Sequence, residues 1–190
     1  MLKTSQFLVA LALAGCVSIE EYPKEWGPPP ALQSGCPTIA GTYLNAESRK
    51  GSVRALSWLF GEIPSLQSDV TWVSIDQSDQ RSLIIRYWQN KVLRSSRVLS
   101  ELAGDYSCTE GKIQIRRSIK QASAESGGAW AHAGNIVVTF LPTQDYLVAE
   151  WRGSLAGGAA VLPNPLFVPP LIPLLGYETH WYRFKRIQED

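Results

Sequence analysis

From residue 38 onward apolar positions recur at every second residue and are broken by short polar turns, a period that predicts strands rather than helices. The clearest alternation is Lys112-Ile113-Gln114-Ile115-Arg116, apolar on one face and polar on the other. Strands are predicted over residues 39–44, 70–75, 83–88, 92–99, 105–108, 112–119, 135–141, 146–152 and 178–187. Between them lie turn signals at 76–79, at Gln89-Asn90-Lys91, at Thr109-Glu110-Gly111 and at Pro142-Thr143-Gln144-Asp145. Asn90 suits a left-handed conformation. In the last strand, alternation sets His180, Tyr182 and Phe184 against Trp181, Arg183 and Lys185 on the opposite face. One helix is predicted, over 52–63, where Val53, Leu56, Leu59, Phe60 and Ile63 recur at helical spacing. The Gly, Ala and Ser of 122–134 read as a loop. No strand-helix-strand unit is visible, which argues against a parallel sheet. The expectation is an all-β domain: an antiparallel barrel or sandwich of about eight to nine strands with one short helix.

Two stretches depart from this pattern. Residues 17–37 carry Pro23, Pro28, Pro29, Pro30 and Pro37 with Gly27 and Gly35, and predict an extended, polyproline-type linker that holds the domain off a surface at ~3 Å per residue. Trp26 and Leu32 are poor solvent residues, and a linker folded back onto the domain would cover them. Residues 157–176 have no charge, and Pro163, Pro165, Pro169, Pro170 and Pro173 exclude both a helix and a central strand. They read as a long apolar loop between the last two strands. It is either a lid over one end of the core or a contact for a cavity, a lipid surface or a partner.

The first residues follow a different rule. Lys3 precedes an uninterrupted apolar run, Phe7 to Ala14, well short of the ~20 residues a spanning helix needs, and the run ends in Leu13-Ala14-Gly15-Cys16. This segment resembles a bacterial lipoprotein precursor, whose lipobox is Leu, a small residue, Gly or Ala, then Cys. The resemblance implies a signal peptide over 1–15, cleavage before Cys16, and a diacylglyceryl thioether on Cys16 with a further acyl chain, commonly palmitate, on the new amine. One acyl chain binds a bilayer marginally, at ~0.8 kcal/mol per buried methylene, whereas two or three hold a protein permanently. Val17 follows the Cys where an Asp would favour inner-membrane retention, so the resemblance points to the outer membrane of a Gram-negative bacterium, on the periplasmic face. The organisation then reads as a signal peptide over 1–15, a lipidated terminus and Pro-rich linker over 16–37, and a β domain over 38–190.

The chain has 190 residues, 45% hydrophobic, with 18 Lys and Arg against 17 Asp and Glu. Loss of residues 1–15 removes Lys3 and leaves the mature chain neutral, which excludes nucleic acid held by bulk charge. Of three Cys, alkylation of Cys16 leaves Cys36 and Cys108, expected to pair in an oxidising compartment. Neither lies in a Cys-x-x-Cys motif, which argues against a redox enzyme.

Catalytic chemistry is sparse. There are two His, His132 in a predicted loop and His180 on a strand among aromatics, and no nucleophile elbow, phosphate loop or metal-ligand spacing. The basic residues Arg116, Arg117 and Lys120 are split between faces and read as solvated surface. A carboxylate pair needs no local motif, and Glu150 beside Trp151 and Glu178 near Trp181 are the candidates. Trp58, Trp72, Trp88, Trp130, Trp151 and Trp181 suit either an ordinary sheet core or a surface that stacks on sugars or lines an apolar cavity. No cofactor and no metal is expected. The reading these residues favour is a non-enzymatic, lipid-anchored envelope protein that binds or assembles with an envelope partner. Two alternatives stand beside it. Gly41-Thr42-Tyr43 resembles the Gly-x-Trp of the lipocalin first strand, with Tyr for Trp, and implies a carrier of an apolar ligand. The third is a cell-wall hydrolase using a carboxylate pair.

Overall fold

A computed structural model describes residues 17–32, 34–46, 55–61, 70–79, 81–125, 128–160 and 174–188. The strands are β1 (Val17–Ile19), β2 (Gly41–Leu44), β3 (Trp72–Asp79), β4 (Ser82–Gln89), β5 (Val92–Ser100), β6 (Ser107–Thr109), β7 (Lys112–Glu125), β8 (Gly128–Pro142), β9 (Tyr146–Ala160) and β10 (Leu174–Ile187), with one helical turn, α1 (Leu56–Leu59). The sheet order is β5-β4-β3-β2-β10-β9-β8-β7-β6, with β1 attached to β10 off this path. This is an up-and-down meander in which the last strand returns to pair with β2, so Arg186 lies opposite Tyr43. Among the described strands β5 and β6 are not paired with each other, so the fold is all-β, its sheet mostly antiparallel and not closed.

The chain divides into two compact units. The larger comprises Glu21–Arg116, Val137–Trp151 and His180–Asp190; the smaller comprises Met1–Glu20, Arg117–Ile136 and Arg152–Thr179. The core of the larger unit follows the period-two pattern: Val73 and Ile75, then Leu83, Ile85 and Tyr87, then Ile113 and Ile115, Val138 and Phe140, Leu147 and Ala149, and Tyr182 and Phe184 are all buried. Leu56, Leu59 and Phe60 of α1 enter the same core, and Phe60 stacks on Phe140 with centroids 4.7 Å apart. Asn45, itself buried, holds that helical turn in place. Its Nδ2 donates to Val70 O (3.0 Å), and its Oδ1 accepts from Ser57 N (2.8 Å). From β5, Arg97 Nη1 donates to Phe60 O (3.1 Å), a cation on the carbonyl end of the turn.

Two hairpins have the expected chemistry. Asn90 (φ 47) and Lys91 (φ 71) are both left-handed, as are Glu110 (φ 51) and Gly111 (φ 73), the backbone signature of the tight turn that matches strand twist. Elsewhere the sequence reading is corrected. The first turn falls after Asp79 rather than at 76–79, because a register shift between Asp76 and Asp79 lets β3 run on. The helix is confined, among the described residues, to Leu56–Leu59, with Gly61 left-handed just beyond it. Residues 122–134 are not a loop: β7 reaches Glu125 and β8 begins at Gly128, because small residues pair in a ladder as well as they fill a turn. Of the loop assigned to 157–176, residues 157–160 belong to β9 and 174–176 to β10; the stretch between lies outside the described residues. The 17–37 segment is not a free extended spacer either. It opens with β1, carries a 3-10 turn at Lys24–Trp26, and contributes the one parallel pairing found among the described strands.

Candidate functional site

Cys16 lies outside the described residues; the chain is seen from Val17 onward. In the smaller unit, β1 lies parallel to β10 with Val17 opposite Tyr177, Ser18 opposite Glu178 and Ile19 opposite Thr179. Glu20 N extends the ladder by donating to Thr179 O (3.1 Å). The residue that follows the candidate lipidated Cys is thus held beside a strand from the far end of the chain.

In the larger unit the same segment packs on the outward side chains of β10. The Tyr22 ring stands edge-on to Trp181 (5.1 Å) and to Trp26 (5.8 Å). The Arg183 guanidinium lies 4.9 Å from the Trp26 ring centre and 4.5 Å from that of Tyr146, cation against aromatic on both sides. Burial pushes the Tyr22 hydroxyl above the ordinary phenol range, and the Arg183 charge offsets part of that rise. By alternation Tyr146, Val148 and Glu150 share one face of β9, and Val148 and Glu150 are buried there. Trp26 therefore finds its cover as the sequence suggested, while Leu32 remains exposed. Arg183 and Tyr22 as its partners were not foreseen. The available signal was an outward Trp-x-Arg on a strand, which needs something flat to lie against it.

Cys36 and Cys108 are joined, with Cα atoms 5.4 Å apart and 72 positions between them in sequence. Around the bond, Gly111 N donates to Gly35 O (2.9 Å) and Ile39 N to Gln77 Oε1 (3.0 Å), while Gln77 Nε2 donates to Pro37 O (3.3 Å). The chain from Gly35 to Ile39 is therefore sewn to both the β6–β7 hairpin and β3.

His180 packs against Trp151 (5.5 Å) and Tyr182 (6.4 Å), and Trp151 also meets Trp58 (6.3 Å), so this imidazole is part of an aromatic row. Glu150 belongs to the larger unit and Glu178 to the smaller, and neither lines the clefts described below. His132 and Trp130 lie on β8 rather than in a loop, their side chains outside the described ones. Trp72 and Trp88 are cross-strand partners, and Trp88 Nε1 donates to Ser74 Oγ (2.8 Å). Arg116 is exposed and Arg117 half-buried. No group of three or more His, Cys, Asp or Glu converges among the described residues. No helix among them is long and apolar enough to cross a membrane. One open cleft of about 460 Å³ is lined by Leu44, Asp145, Tyr146 and residues 185–188; another, of about 430 Å³, lies by Glu101, Tyr106, Gln114 and Arg116.

The remaining surface feature is β5. It ends the sheet order, pairs only with β4 among the described strands, and exposes Val92, Leu93 and Val98, the last at 62%. Lys91, Arg94 and Arg97 are interspersed with them, and from Lys91 to Ser100 no carboxylate balances these cations. An edge of this kind accepts an extended segment through main-chain hydrogen bonds, and its charge selects an acidic one. Two copies paired through this edge would set like charges against each other. No protein-family model, no curated protein and no solved structure matches the chain.

Proposed function

We propose that this chain is a lipid-anchored cell-envelope protein, acylated on Cys16 and held at the periplasmic face of the outer membrane, whose β domain is a non-enzymatic binding or assembly module. The observation that carries the reading is the sequence Leu13-Ala14-Gly15-Cys16 at the end of a short apolar run. The bonded pair Cys36–Cys108 supports it, since such a bond persists in an oxidising compartment. Anchoring confines the module to one membrane face and raises its effective concentration for any partner there.

The surface offered to that partner is the β5 edge, and the partner's contribution is an acidic, extended segment of another envelope protein. Binding at an edge, rather than inside a carrier's barrel, is supported by an interior occupied by Tyr43, Tyr87, Phe60, Phe140 and Phe184, each almost fully buried. Replacing Cys16 by Ser tests the anchor: labelling by a clickable fatty acid should vanish and the precursor should remain uncleaved. An unmodified mature terminus elsewhere, found by mass spectrometry, would overturn it. A photocrosslinking residue at Val98 should capture the same protein reproducibly from intact envelopes; a random set of neighbours would count against the module.

A further inference from the structure

We infer that the β1–β10 ladder is a lipid-contacting edge, with Tyr177 and Ile19 seated in the headgroup region of the bilayer that holds the anchor. The inference rests on the acylation proposed for Cys16 and adds a second, non-covalent contact to it. Its basis is register. Val17 is opposite Tyr177, and Cys16 immediately precedes Val17. Consecutive Cα atoms are about 3.8 Å apart and paired strands about 4.8 Å apart, so the Tyr177 backbone is held within about 9 Å of the backbone bearing the acylated sulfur.

Headgroups add roughly 10–15 Å to a bilayer over both leaflets together, about 5–7 Å on each side, so the Tyr177 backbone is held within a few ångströms of the interfacial layer around the anchor. A side chain fixed so close to a permanent acyl anchor is within reach of the headgroups. The side chains present suit that place. Tyr177 is 38% exposed and Ile19 64% exposed, and pairing with alternation puts them on the same face of the ladder, with Thr179. Ser18 and Glu178 share the opposite face, so the ladder is two-sided, apolar and aromatic against polar. Tyr is one of the two residue types that concentrate at membrane–water interfaces, its ring in the acyl boundary and its hydroxyl in the headgroups. The sequence leading into this edge from Leu155 to Gly176 carries no charge that would have to be stripped of water.

The test uses the full-length protein purified from envelopes and reconstituted in phosphatidylethanolamine–phosphatidylglycerol vesicles. Tyr177→Cys and, separately, Ile19→Cys carry an environment-sensitive fluorophore, the bonded Cys36 and Cys108 being unreactive to the label. Nitroxide placed near the lipid headgroups should quench both labels at least twofold, with a matching loss of quenching by aqueous iodide. If mass spectrometry finds the protein acylated and both labels remain fully open to iodide and untouched by the lipid nitroxide, the edge contact is refuted and the anchor stands. If the purified protein carries no acyl chain, both proposals fall together. The two labels guard against a local disturbance at Tyr177, because Ile19 lies on a different strand.

Discussion

Arg186 occupies the space that Gly41 leaves open. Its guanidinium lies over the Tyr43 ring at 5.8 Å and donates through Nη2 to Ala40 O, and a Cβ built on Gly41 would stand 2.8 Å from both Nε and Nη2. Gly41 also has φ +149, a region that side chains avoid. Gly41→Ala should therefore displace the guanidinium as well as strain the backbone, for a loss of about 1–3 kcal/mol in denaturant unfolding. Tyr43 itself is buried and donates its hydroxyl to Ile39 O (3.0 Å). Burial raises its pKa above the ordinary 10, and the Arg186 charge only partly offsets this; Tyr22 and Tyr106 are raised in the same direction. A raised folded-state pKa means the native state keeps protons the unfolded chain releases. That contribution to stability is complete below pH 10 and is lost as pH rises through the folded values. Midpoints from urea unfolding should accordingly fall above about pH 10, and Tyr43→Phe should make that alkaline decline shallower, while losing on the order of 1 kcal/mol at neutral pH with the buried hydrogen bond. The Gly-Thr-Tyr tripeptide was visible in the sequence; Arg186, at the opposite end of the chain, was not, because side-chain neighbours across a seam leave no local pattern.

At the scale of elements, the hairpins show where sequence is most informative. Turns that need left-handed backbone declare themselves through Asn90 and Gly111, and alternation fixes which residues of β3, β4, β7 and β10 face the core. Strand ends are far less visible. β7, β8 and β9 each run to fourteen or fifteen residues, through Ala, Ser and Gly that carry no preference for strand over loop. The linker misled for a related reason: proline forbids helix and central strand, but it does not forbid docking, and Tyr22 and Trp26 dock. The helical turn shows how little intrinsic stability such an element has. Four residues cannot hold themselves, so Asn45 and Arg97 supply the missing bonds. Asn45→Ala leaves Val70 O and Ser57 N without these partners in a buried site, and the expected loss in thermal or urea unfolding is about 2–4 kcal/mol. Arg97→Ala should lower stability by no more than about 1 kcal/mol, since its side chain is exposed.

For the whole molecule, the governing facts are the open seam between β5 and β6 and the bond at Cys36–Cys108. The bond ties β6, at one end of the sheet order, to the segment that leads into β2. Breaking it releases a 72-residue separation, worth about 4 kcal/mol in the chain-entropy account. Cys36→Ala with Cys108→Ala should lower the calorimetric midpoint by many degrees, and reductant should shift the native protein by a similar amount without affecting the double variant. The pairing followed from counting cysteines, but its joining of the last strand of the sheet order to the chain before β2 did not, because strand order is not a local property.

The N-terminal ladder has a mechanical consequence. β1 lies alongside β10, parallel to it, from Val17 to Ile19. Under the anchoring proposed for Cys16, force drawn along β1 through Val17 would load the backbone hydrogen bonds of that ladder simultaneously, in shear, instead of peeling them one after another.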